Sequence, residues 1–443
     1  MIIIGNGRLI TRDASNPFIE NGAVCVSGRL IQEVGTDAEI RAKYPDAEYI
    51  DAKGGVIMPG LINTHNHIYS AMARGLSVKG YNPKGFLDVL EGMWWTLDRK
   101  LNNKQTYYSA VATYIDCIKS GVTTVFDHHA SFGEIEGSLF EISRAADELG
   151  VRTCLCYEVS DRDGEDKMKA AVKENADFIK KCQSDDTDMQ KAMMGLHASF
   201  TLSDKTLELC AENTPDDVGY HIHVAEGIDD LHLCLKEHGK RIVYRLMDMD
   251  ILGPKTITVH CVYVNSAEMD LLKATDTMVV HNPESNMGNA IGCPPTLEIM
   301  KHGVLTGLGT DGYTNDMFES MKVANILHKH NLCDPAVAWV EVPQMLFENN
   351  AKIANRYFKT PLGVLKKDAA ADIIVVDYDP LTPMNASNIN GHILFGMNGR
   401  SVASTMINGK LVMKDRVLLN IDEKEAMAKS REQAQLLWNA ING

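Results

Sequence analysis

Residues 58–70 read MPGLINTHNHIYS and place His65 and His67 two positions apart at the end of an apolar run. In a β-strand, side chains two positions apart point to the same face, so both imidazoles can reach one point in space. On a helix the same pair would diverge. The segment therefore predicts a strand whose end offers two ligands to one metal ion, with a pair of half-buried polar histidines as the alternative.

Seven further apolar runs follow this one and alternate with helical segments. Strands of a parallel sheet read as continuous apolar runs, and the active site of a (β/α)8 barrel lies at the carboxyl ends of its strands. Eight consecutive units that end in polar or ionisable residues therefore predict an α/β fold with such a barrel, rather than unrelated polar strand ends. The seven runs are VTTVFDHH, VRTCLCYEVS, KAMMGLHASF, VGYHIHVAEG, TITVHCVYV, DTMVVHNPES and VLTGLGTDG.

The two ends of the chain have a different pattern. Residues 1–57 form short strand-like runs separated by Gly, Asn and Asp turns, and this pattern returns after residue 361. We expect residues 58–360 to form the barrel, with 1–57 and 361–443 pairing into one small β-sandwich domain. The helical spacing of residues 422–441 predicts a terminal helix.

The composition limits the partners and the cellular location that we expect for the protein. The chain has 443 residues, 45% of them hydrophobic and 23% charged, which is typical of a soluble globular protein. Its net charge of -15, with no basic cluster, disfavours binding to nucleic acid or to anionic membrane surfaces. No run has transmembrane length, the first residues lack the features of a signal peptide, and the ten cysteines include no CxxC pair. We expect a cytoplasmic protein without disulfides.

Three later strand ends add ionisable residues to the first pair. HIHVAE repeats the same-face spacing with His221 and His223 and adds Glu226, while His260 and Asp311 end two further runs. One histidine of the second pair can bind the same ion, and a carboxylate beside it is useful for moving protons. The alternatives are a surface glutamate after a strand and an aspartate that forms a turn or a helix cap.

Five of these segments together resemble the amidohydrolase superfamily, in the branch of guanine and cytosine deaminases, adenosylhomocysteine deaminases and triazine chlorohydrolases. The resemblance spans nearly the whole chain, and the order of the segments is more specific than any one of them. They are PGLINTHNH, HIHVAE, VHCVYV, HNPESNMGNAIG and GTDG. Three more segments are most similar to the SsnA-type aminohydrolases: GFLDVLEGMWWTLDRKL, TTVFDHHAS and CYEVSDRDG.

The resemblance implies one divalent metal ion, zinc in most members and iron in some, held by imidazole and carboxylate groups. The implied ligands are His65, His67, His223 and Asp311. The resemblance also implies that Glu226 shuttles protons, that Asp311 accepts a proton from the metal-activated water, and that His260 steadies the developing oxyanion. Binuclear members carry a carboxylated lysine at the end of strand four, where this chain has His197, which favours a single ion. His221 is expected beside the ligands and not among them.

Residues at the predicted strand ends and in the following loops are the expected source of substrate specificity. An aromatic face stacks well on a flat heterocycle, which favours Trp94 and Trp95, in the segment after strand one, as a cover for the pocket. The alternatives are a tryptophan pair in the core and an Arg162 that pairs with a neighbouring aspartate on the surface. The expected pocket residues are Trp94, Trp95, His197, Glu158, Arg162, Asn282 and Asn286, with His128 and His129 at strand ends nearby.

The resulting hypothesis is a mononuclear metal-dependent aminohydrolase that deaminates a small purine-, pyrimidine- or triazine-like heterocycle by metal-activated water. A cyclic amidohydrolase that opens a purine, pyrimidine or hydantoin ring would use the same ligands, and the missing strand-four lysine argues against it. A non-catalytic barrel protein usually lacks some ligands, and here none is lost. The expected partners are a small heterocyclic substrate and a second copy of the chain, in a homo-oligomer with a dimer favoured.

Overall fold

The computed structural model describes residues 1–443. Its strands are β1 Ile2–Ile10, β2 Phe18–Ser27, β3 Leu30–Thr36, β4 Glu48–Asp51, β5 Val56–Pro59, β6 Leu61–Asn66, β7 Val122–His129, β8 Arg152–Tyr157, β9 Gln190–Ala192, β10 Met194–Ala198, β11 Tyr220–Val224, β12 Ile257–His260, β13 Met278–His281, β14 Thr306–Leu308, β15 Ile373–Val376, β16 Val402–Ile407, β17 Lys410–Lys414 and β18 Val417–Leu418.

The α-helices are α1 Asp37–Lys43, α2 Phe86–Val89, α3 Trp95–Asp98, α4 Asn103–Lys119, α5 Ser138–Leu149, α6 Glu165–Gln183, α7 Asp204–Glu212, α8 Ile228–His238, α9 Ile242–Asp248, α10 Ser266–Ala274, α11 Pro283–Gly288, α12 Thr296–Lys301, α13 Met317–Leu332, α14 Glu341–Pro343, α15 Asn350–Ala354, α16 Ile389–Gly396 and α17 Glu423–Asn442. Short 3-10 helices span Ile68–Ala73, Ser199–Thr201 and Gly399–Ser401, and π-helical turns span Leu90–Trp94 and Gln344–Asn349. None of the helices has both the length and the apolar composition needed to cross a membrane.

Eight parallel strand segments close into a barrel at the centre of the molecule. Pairing runs in the order β6-β7-β8-β9 and then β10-β11-β12-β13-β14, with β9 and β10 forming one predicted run interrupted at Met193. Bridges from Val159 to Leu196 and from Asn66 to Asp311 join the two sheets. Every residue of β6, β7 and β8 is buried, as expected where helices cover the outside of a parallel barrel. The predicted barrel is confirmed.

The two chain ends build one nine-stranded sheet. Its order is β18-β17-β16-β15-β5-β1-β2-β3, with β4 paired to β1. The two ends meet at β5, which pairs with β1 on one side and with β15 on the other. Val24, Ile57 and Ile373 from both ends share one buried cluster. The predicted pairing of the ends is confirmed, and because β5 bonds to both halves, the strands of the expected sandwich form one continuous sheet.

Gly60 marks the passage from this sheet into the barrel, between β5 and β6. A Cβ atom at this position would lie 2.3 Å from the Thr123 side chain on β7, so the close approach of the two strands needs glycine. The Gly60 N–H donates to the Asp372 carbonyl at 2.9 Å, and the Leu61 N–H donates to the Gly121 carbonyl at 2.9 Å. These contacts fix where β6 begins and therefore which of its side chains face the barrel interior.

Hydrogen bonds from capping side chains explain where two of the helices begin. At α4, the Asn102 side chain accepts from the Gln105 N–H, and the Gln105 side chain accepts from the Asn102 N–H in return. The terminal helix α17, predicted from its spacing, is capped by Asp422, whose side chain accepts a hydrogen bond from the Glu425 N–H in the first turn. The Trp438 Nε1–H of α17 donates to the Met72 carbonyl at 2.6 Å. The terminal helix is thereby tied to the segment that follows β6.

Candidate active site

The histidines and the aspartate singled out in the sequence meet at the carboxyl ends of the barrel strands. His65 and His67 lie at the end of β6 and just after it, His223 lies in β11, His260 ends β12, and Asp311 follows β14. One nitrogen from each of His65, His67 and His223 lies within 4.8 Å of the other two. One ligand atom from each of His65, His260 and Asp311 likewise lies within 4.8 Å of the other two. All five side chains therefore surround one small volume.

The hydrogen bonds of His67 and His223 fix the direction of their lone pairs. The His67 Nδ1 donates to a carbonyl at the end of β7 at 2.6 Å, and the His223 Nδ1 donates to a carbonyl at the end of β10 at 2.9 Å. Because each Nδ1 carries the hydrogen, each neutral ring has its lone pair on Nε2. The two Nε2 atoms face each other at 3.2 Å. Burial lowers the pKa of both rings, which disfavours a shared proton and leaves a place that suits a metal cation.

His65 and Asp311 complete a donor set of three nitrogens and one oxygen. The His65 Nδ1 lies 2.9 Å from the His221 Nε2, while the His65 Nε2 is buried without a hydrogen-bond partner. The Asp311 Oδ1 lies 3.3 Å from the His67 Nε2 and accepts the Gly312 N–H at 2.6 Å. Burial tends to raise the pKa of Asp311, but His67 and His260 outweigh it, so the pKa is lowered and the carboxylate is ionised. Imidazole nitrogen with carboxylate oxygen is a donor set that suits zinc, and also Fe²⁺.

Glu226 lies beyond His223, at the point where the chain leaves β11. Ala225 has a φ of 49° at this turn, and its N–H donates to the Asp230 carboxylate at 3.0 Å. The turn directs the Glu226 Oε2 to 3.4 Å from the His260 Nε2. Burial raises the pKa of Glu226 well above its usual range, and the nearby carboxylates of Asp311 and Asp230 add to the effect. A carboxyl group with a raised pKa can hold a proton at neutral pH and release it to a substrate.

His260 faces both carboxylates with one ring nitrogen. Its Nδ1 donates to the Asn286 Oδ1 at 2.8 Å, so the lone pair lies on Nε2. This Nε2 is buried without a hydrogen-bond partner and lies 3.5 Å from the Asp311 Oδ2. Asn286, one of the predicted pocket residues, therefore orients His260. It does not line the cavity.

A cavity opens above the cluster and is lined by residues of the strand ends and of the segments that follow them. Trp94 and Trp95, at the junction of a π-helical turn and α3, both line it. The Trp94 ring meets the Tyr69 ring edge at 6.0 Å between centroids, and the Trp95 ring meets the His197 ring edge at 6.0 Å. The structure thus places both tryptophans and His197 on the wall of the cavity.

Glu158 also lines the cavity, directly after β8. Its carboxylate has three basic neighbours, none of them within normal hydrogen-bond distance. The His128 Nδ1 lies at 3.6 Å, an Arg162 nitrogen at 3.8 Å and the His197 Nε2 at 3.9 Å. Burial tends to raise the pKa of Glu158, but His197, His128 and Arg162 outweigh it, so the pKa is lowered.

Arg162 lies behind Glu158 and away from the cavity wall. Its guanidinium binds Asp98 with one contact at 2.5 Å and approaches Asp163 at 3.2 Å. Its central carbon also lies 4.0 Å from the centre of the Phe132 ring and 5.0 Å from that of the Trp95 ring. The Arg162 side chain is 5% exposed. Its pairing with Asp163, considered from the sequence as a surface contact, occurs in a buried network.

Asn282 and His129 are buried, and their side chains make no hydrogen bonds within the protein. Neither amide atom of Asn282 and neither ring nitrogen of His129 has a hydrogen-bond partner. Asn282 does not line the cavity. The His129 ring lies between the rings of Tyr69 and Tyr157, with centroid distances of 5.9 and 5.8 Å.

The cavity wall includes four residues that the sequence patterns do not identify: Tyr69, Phe86, Leu90 and Asn289. Tyr69 lies two positions after His67, but the chain has already entered a 3-10 helix, so the strand alternation no longer places it. Phe86 and Leu90 have the spacing of ordinary core residues. Asn289 belongs to the HNPESNMGNAIG segment, and its position just past α11 depends on the length of that helix.

Residues 56–412 match the sequence pattern described as the amidohydrolase family. This chain belongs to the amidohydrolase family. Within the N-terminal strands, residues 22–47 also match an imidazolonepropionase-like composite domain of bacteria. The family membership predicted from the ordered segments is thus confirmed.

This amidohydrolase is similar along its whole length to named enzymes. It is 32% identical over 447 residues to a 5'-deoxyadenosine deaminase of Methanosarcina barkeri (strain Fusaro / DSM 804), covering 100% of this chain and 99% of that protein. An adenosine deaminase from Xanthomonas campestris, solved with bound zinc, has a TM-score of 0.86 at 20% identity, covering 99% of this chain and 98% of that one. Atrazine chlorohydrolase TrzN from Arthrobacter aurescens TC1, complexed with zinc, has a TM-score of 0.82 at 21% identity, covering 98% and 100%.

These similarities confirm the predicted enzyme class. The deaminase relative and the family match show a hydrolase that acts on carbon–nitrogen bonds. The solved structures confirm the fold, and two of them are zinc complexes.

Proposed function

We propose that this amidohydrolase holds one zinc ion and removes the amino group from a small nitrogen heterocycle by hydrolysis. The observation that carries the proposal is the pair of facing Nε2 atoms of His67 and His223, 3.2 Å apart with both Nδ1 hydrogens already committed. The His65 Nε2 and the Asp311 carboxylate would supply the other two bonds. When bound, the ion supplies Lewis acidity that makes water a nucleophile at neutral pH.

The arrangement around His197 supports a single ion. His197 occupies the end of β10, where its Nδ1 contacts the Thr201 hydroxyl at 2.7 Å. A further group of close donors, His128 with Glu158 and His223, shares His223 with the first site. The His128 Nε2 is occupied by carbonyl oxygens at 3.0 and 3.2 Å. The residues beside the first site therefore offer no independent second set of ligands.

The pKa values of the two carboxyl groups next to the proposed ligands are shifted in opposite directions, which suits the groups to different proton transfers. Glu226, whose pKa burial raises, can give its proton to a ring nitrogen, then take a proton from the hydroxyl group added to the reacting carbon and pass it to the departing amine. Asp311, whose pKa is lowered, can accept a proton from the attacking water. His260 faces both carboxylates through its Nε2, which can take up a proton, and the resulting imidazolium would steady negative charge that develops on the substrate.

The aromatic wall supports a flat substrate. Trp94 and Trp95 line the cavity beside Tyr69 and Phe86. Ring stacking of this kind is worth about 0.5–1.5 kcal/mol beyond the burial of surface. A planar heterocycle would gain from these contacts over the whole of its face.

The test is a screen of purines, pyrimidines, triazines and 5'-deoxyadenosine with protein of measured zinc content. We expect at least one compound to release one ammonia per molecule consumed, and a chelator to abolish the release. Mass spectrometry of the product separates the alternatives. A ring-opened carboxylate without ammonia would show the cyclic amidohydrolase, and no turnover by fully loaded protein would contradict catalysis of this kind.

We also propose that the enzyme forms a homodimer in the cytoplasm. An exposed apolar patch supports the dimer: Val340 is 70% exposed, Phe395 is 69% exposed, and the Phe395 ring lies 5.9 Å from that of the half-exposed Trp339. Apolar side chains grouped at a surface commonly mark an interface. Light scattering should give the mass of two chains, and Phe395→Lys should give the mass of one.

A further inference from the structure

Glu158 is a buried carboxylate with no hydrogen-bond donor in the protein. It is 3% exposed, and its nearest basic atoms lie at 3.6, 3.8 and 3.9 Å. Buried carboxylates are normally hydrogen-bonded, since an unmet acceptor costs free energy. The side chain lines the cavity, so a ligand there can supply the missing donor.

Three basic side chains lie near the Glu158 carboxylate, but none is close enough to donate a hydrogen bond to it. Arg162, the nearest guanidinium, is already engaged by Asp98 and Asp163. No lysine or arginine lines the cavity, whereas Glu226 and Asp311 both do. The wall around Glu158 therefore favours a ligand that brings hydrogen-bond donors to it.

Glu158 and Glu226 flank the proposed metal position from two sides. At the barrel rim, β11 with His223 lies between β12, which ends in His260, and β10, which is bridged to the segment after β8 that carries Glu158. The His223 ring centroid lies 5.6 Å from that of His260 and 4.6 Å from that of His128. Glu226 contacts His260, whereas a Glu158 oxygen lies within 4.8 Å of ring nitrogens of His128 and His223. Glu158 therefore lies close to the proposed ligand His223, on the side of β11 away from His260.

We propose that Glu158 accepts a hydrogen bond from a ring N–H directly beside the reacting carbon of the substrate. Glu226, as an acid, needs an unprotonated ring nitrogen on the other side of that carbon. The preferred substrates are therefore heterocycles in which the amino-bearing carbon lies between a ring N–H and an unprotonated ring nitrogen. This assignment rests on the proposed deamination and adds to it the class of substrate.

Simple heterocycles differ in this respect. In isocytosine, the amino-bearing carbon lies between two ring nitrogens, one of which carries hydrogen. In cytosine and in the adenine ring of 5'-deoxyadenosine, that carbon lies between one unprotonated nitrogen and a ring carbon, so no ring N–H is available to Glu158. Methylation of isocytosine at N3 removes the N–H and keeps the rest of the ring.

The experiment compares the binding of these four compounds by calorimetry, using the zinc-loaded Glu226→Gln protein so that bound compounds are not consumed. We expect isocytosine to bind roughly 10- to 100-fold more tightly than 3-methylisocytosine and than 5'-deoxyadenosine, as for one hydrogen bond to a charged group. Adding Glu158→Gln should reduce this preference to within about 3-fold, because the acceptor loses its charge.

Two further variants keep the test decisive. Glu174→Gln changes another buried carboxylate that does not line the cavity, so it should keep the preference for isocytosine. Glu158→Asp retains the charge but shortens the reach, so it should lose the preference, and it replaces Glu158→Gln if that variant does not fold. Zinc content is measured for every protein.

Equal binding of isocytosine and its methyl derivative, an absence of isocytosine binding, or a preference that survives both Glu158 variants would overturn the assignment. Ammonia release by the wild-type enzyme is a separate readout. Release from 5'-deoxyadenosine without an N–H preference would leave the proposed deamination intact and remove the role of Glu158. A preference for isocytosine that depends on Glu158, without ammonia release from any compound, would support the role of Glu158 and contradict the proposed deamination.

Discussion

The metal side of the cavity and its aromatic side are held in different ways. On the proposed metal side, His67 and His223 each donate their single ring N–H to a main-chain carbonyl of a neighbouring strand, at 2.6 and 2.9 Å. On the aromatic side, Tyr69, Phe86 and Trp94 come from the segment after β6, and the Tyr69 and Trp94 rings meet edge to face. The barrel strands position the proposed metal ligands, whereas the segments after the strands shape the part of the cavity that would hold the substrate.

The largest effect should follow from removing a ligand on the metal side. His223→Ala deletes one of four proposed protein bonds to the ion, so the affinity for zinc should fall by more than the roughly 10- to 100-fold typical of residues that only support a ligand. Ammonia release should fall to background. Metal analysis and activity are measured on the same preparation, with His302→Ala, at the surface, as the matched control. A full equivalent of tightly held zinc in His223→Ala would rule out this ligand set.

Glu226→Gln should give the next largest effect, without loss of the ion. Glutamine keeps the size and polarity of the side chain but cannot transfer its proton, and general acid–base catalysis contributes about 10²- to 10⁴-fold. We expect kcat to fall by that factor while zinc content stays near that of the wild type. Glu432→Gln, on an exposed face of α17, is the control. Turnover close to wild type would exclude Glu226 from the mechanism and favour His260 or His221 as the proton carrier.

The metal side could be predicted from the sequence because strand geometry carries the information. Alternation in β6 places His65 and His67 on one side, and the parallel barrel brings the ends of β11, β12 and β14 to the same rim. These rules hold for any sequence of such strands. They place His223 and Asp311 within reach of the first pair although about 150 and 250 residues separate them along the chain.

The aromatic side could be predicted only in part. Trp94 and Trp95 stand out by residue type, but Tyr69 and Phe86 reach the cavity through a 3-10 helix and a short helix whose paths no periodicity specifies. Asn282 and Asn286 were expected in the pocket because they follow a strand, yet α11 starts at once and directs Asn286 to His260. The position of a residue after a strand end does not determine the direction of its side chain.

A third prediction tests the aromatic side, where a smaller effect is expected. Trp94→Leu should raise KM by up to about 10-fold, because stacking contributes about 0.5–1.5 kcal/mol, with little change in kcat or Tm since the ring is only half-buried. Phe140→Leu changes a partly exposed aromatic side chain away from the cavity and serves as the control. Steady-state kinetics and thermal unfolding are measured on both. A marked drop in Tm for Trp94→Leu with an unchanged KM would show that the ring belongs to the core.

The smallest effect on catalysis is expected behind the proposed metal side, at Glu284 on α11, the helix that also carries Asn286. Burial raises the pKa of Glu284 to about 7, with Glu319 and Asp316 adding to it, while its Oε2 accepts the Ser320 hydroxyl at 2.7 Å. The folded state thus holds a proton that the unfolded chain releases near pH 4.5, so this stabilisation is lost as pH rises through about 7. Glu284→Gln keeps the acceptor without the charge, and its unfolding free energy should exceed that of the wild type by about 3 kcal/mol at pH 8 and by about 1 kcal/mol at pH 5. Denaturant unfolding of the zinc-loaded proteins at both pH values measures the difference. An advantage that does not grow with pH would mean that Glu284 is ionised throughout, and that the support behind His260 tolerates a buried charge as the loop side does at Glu158.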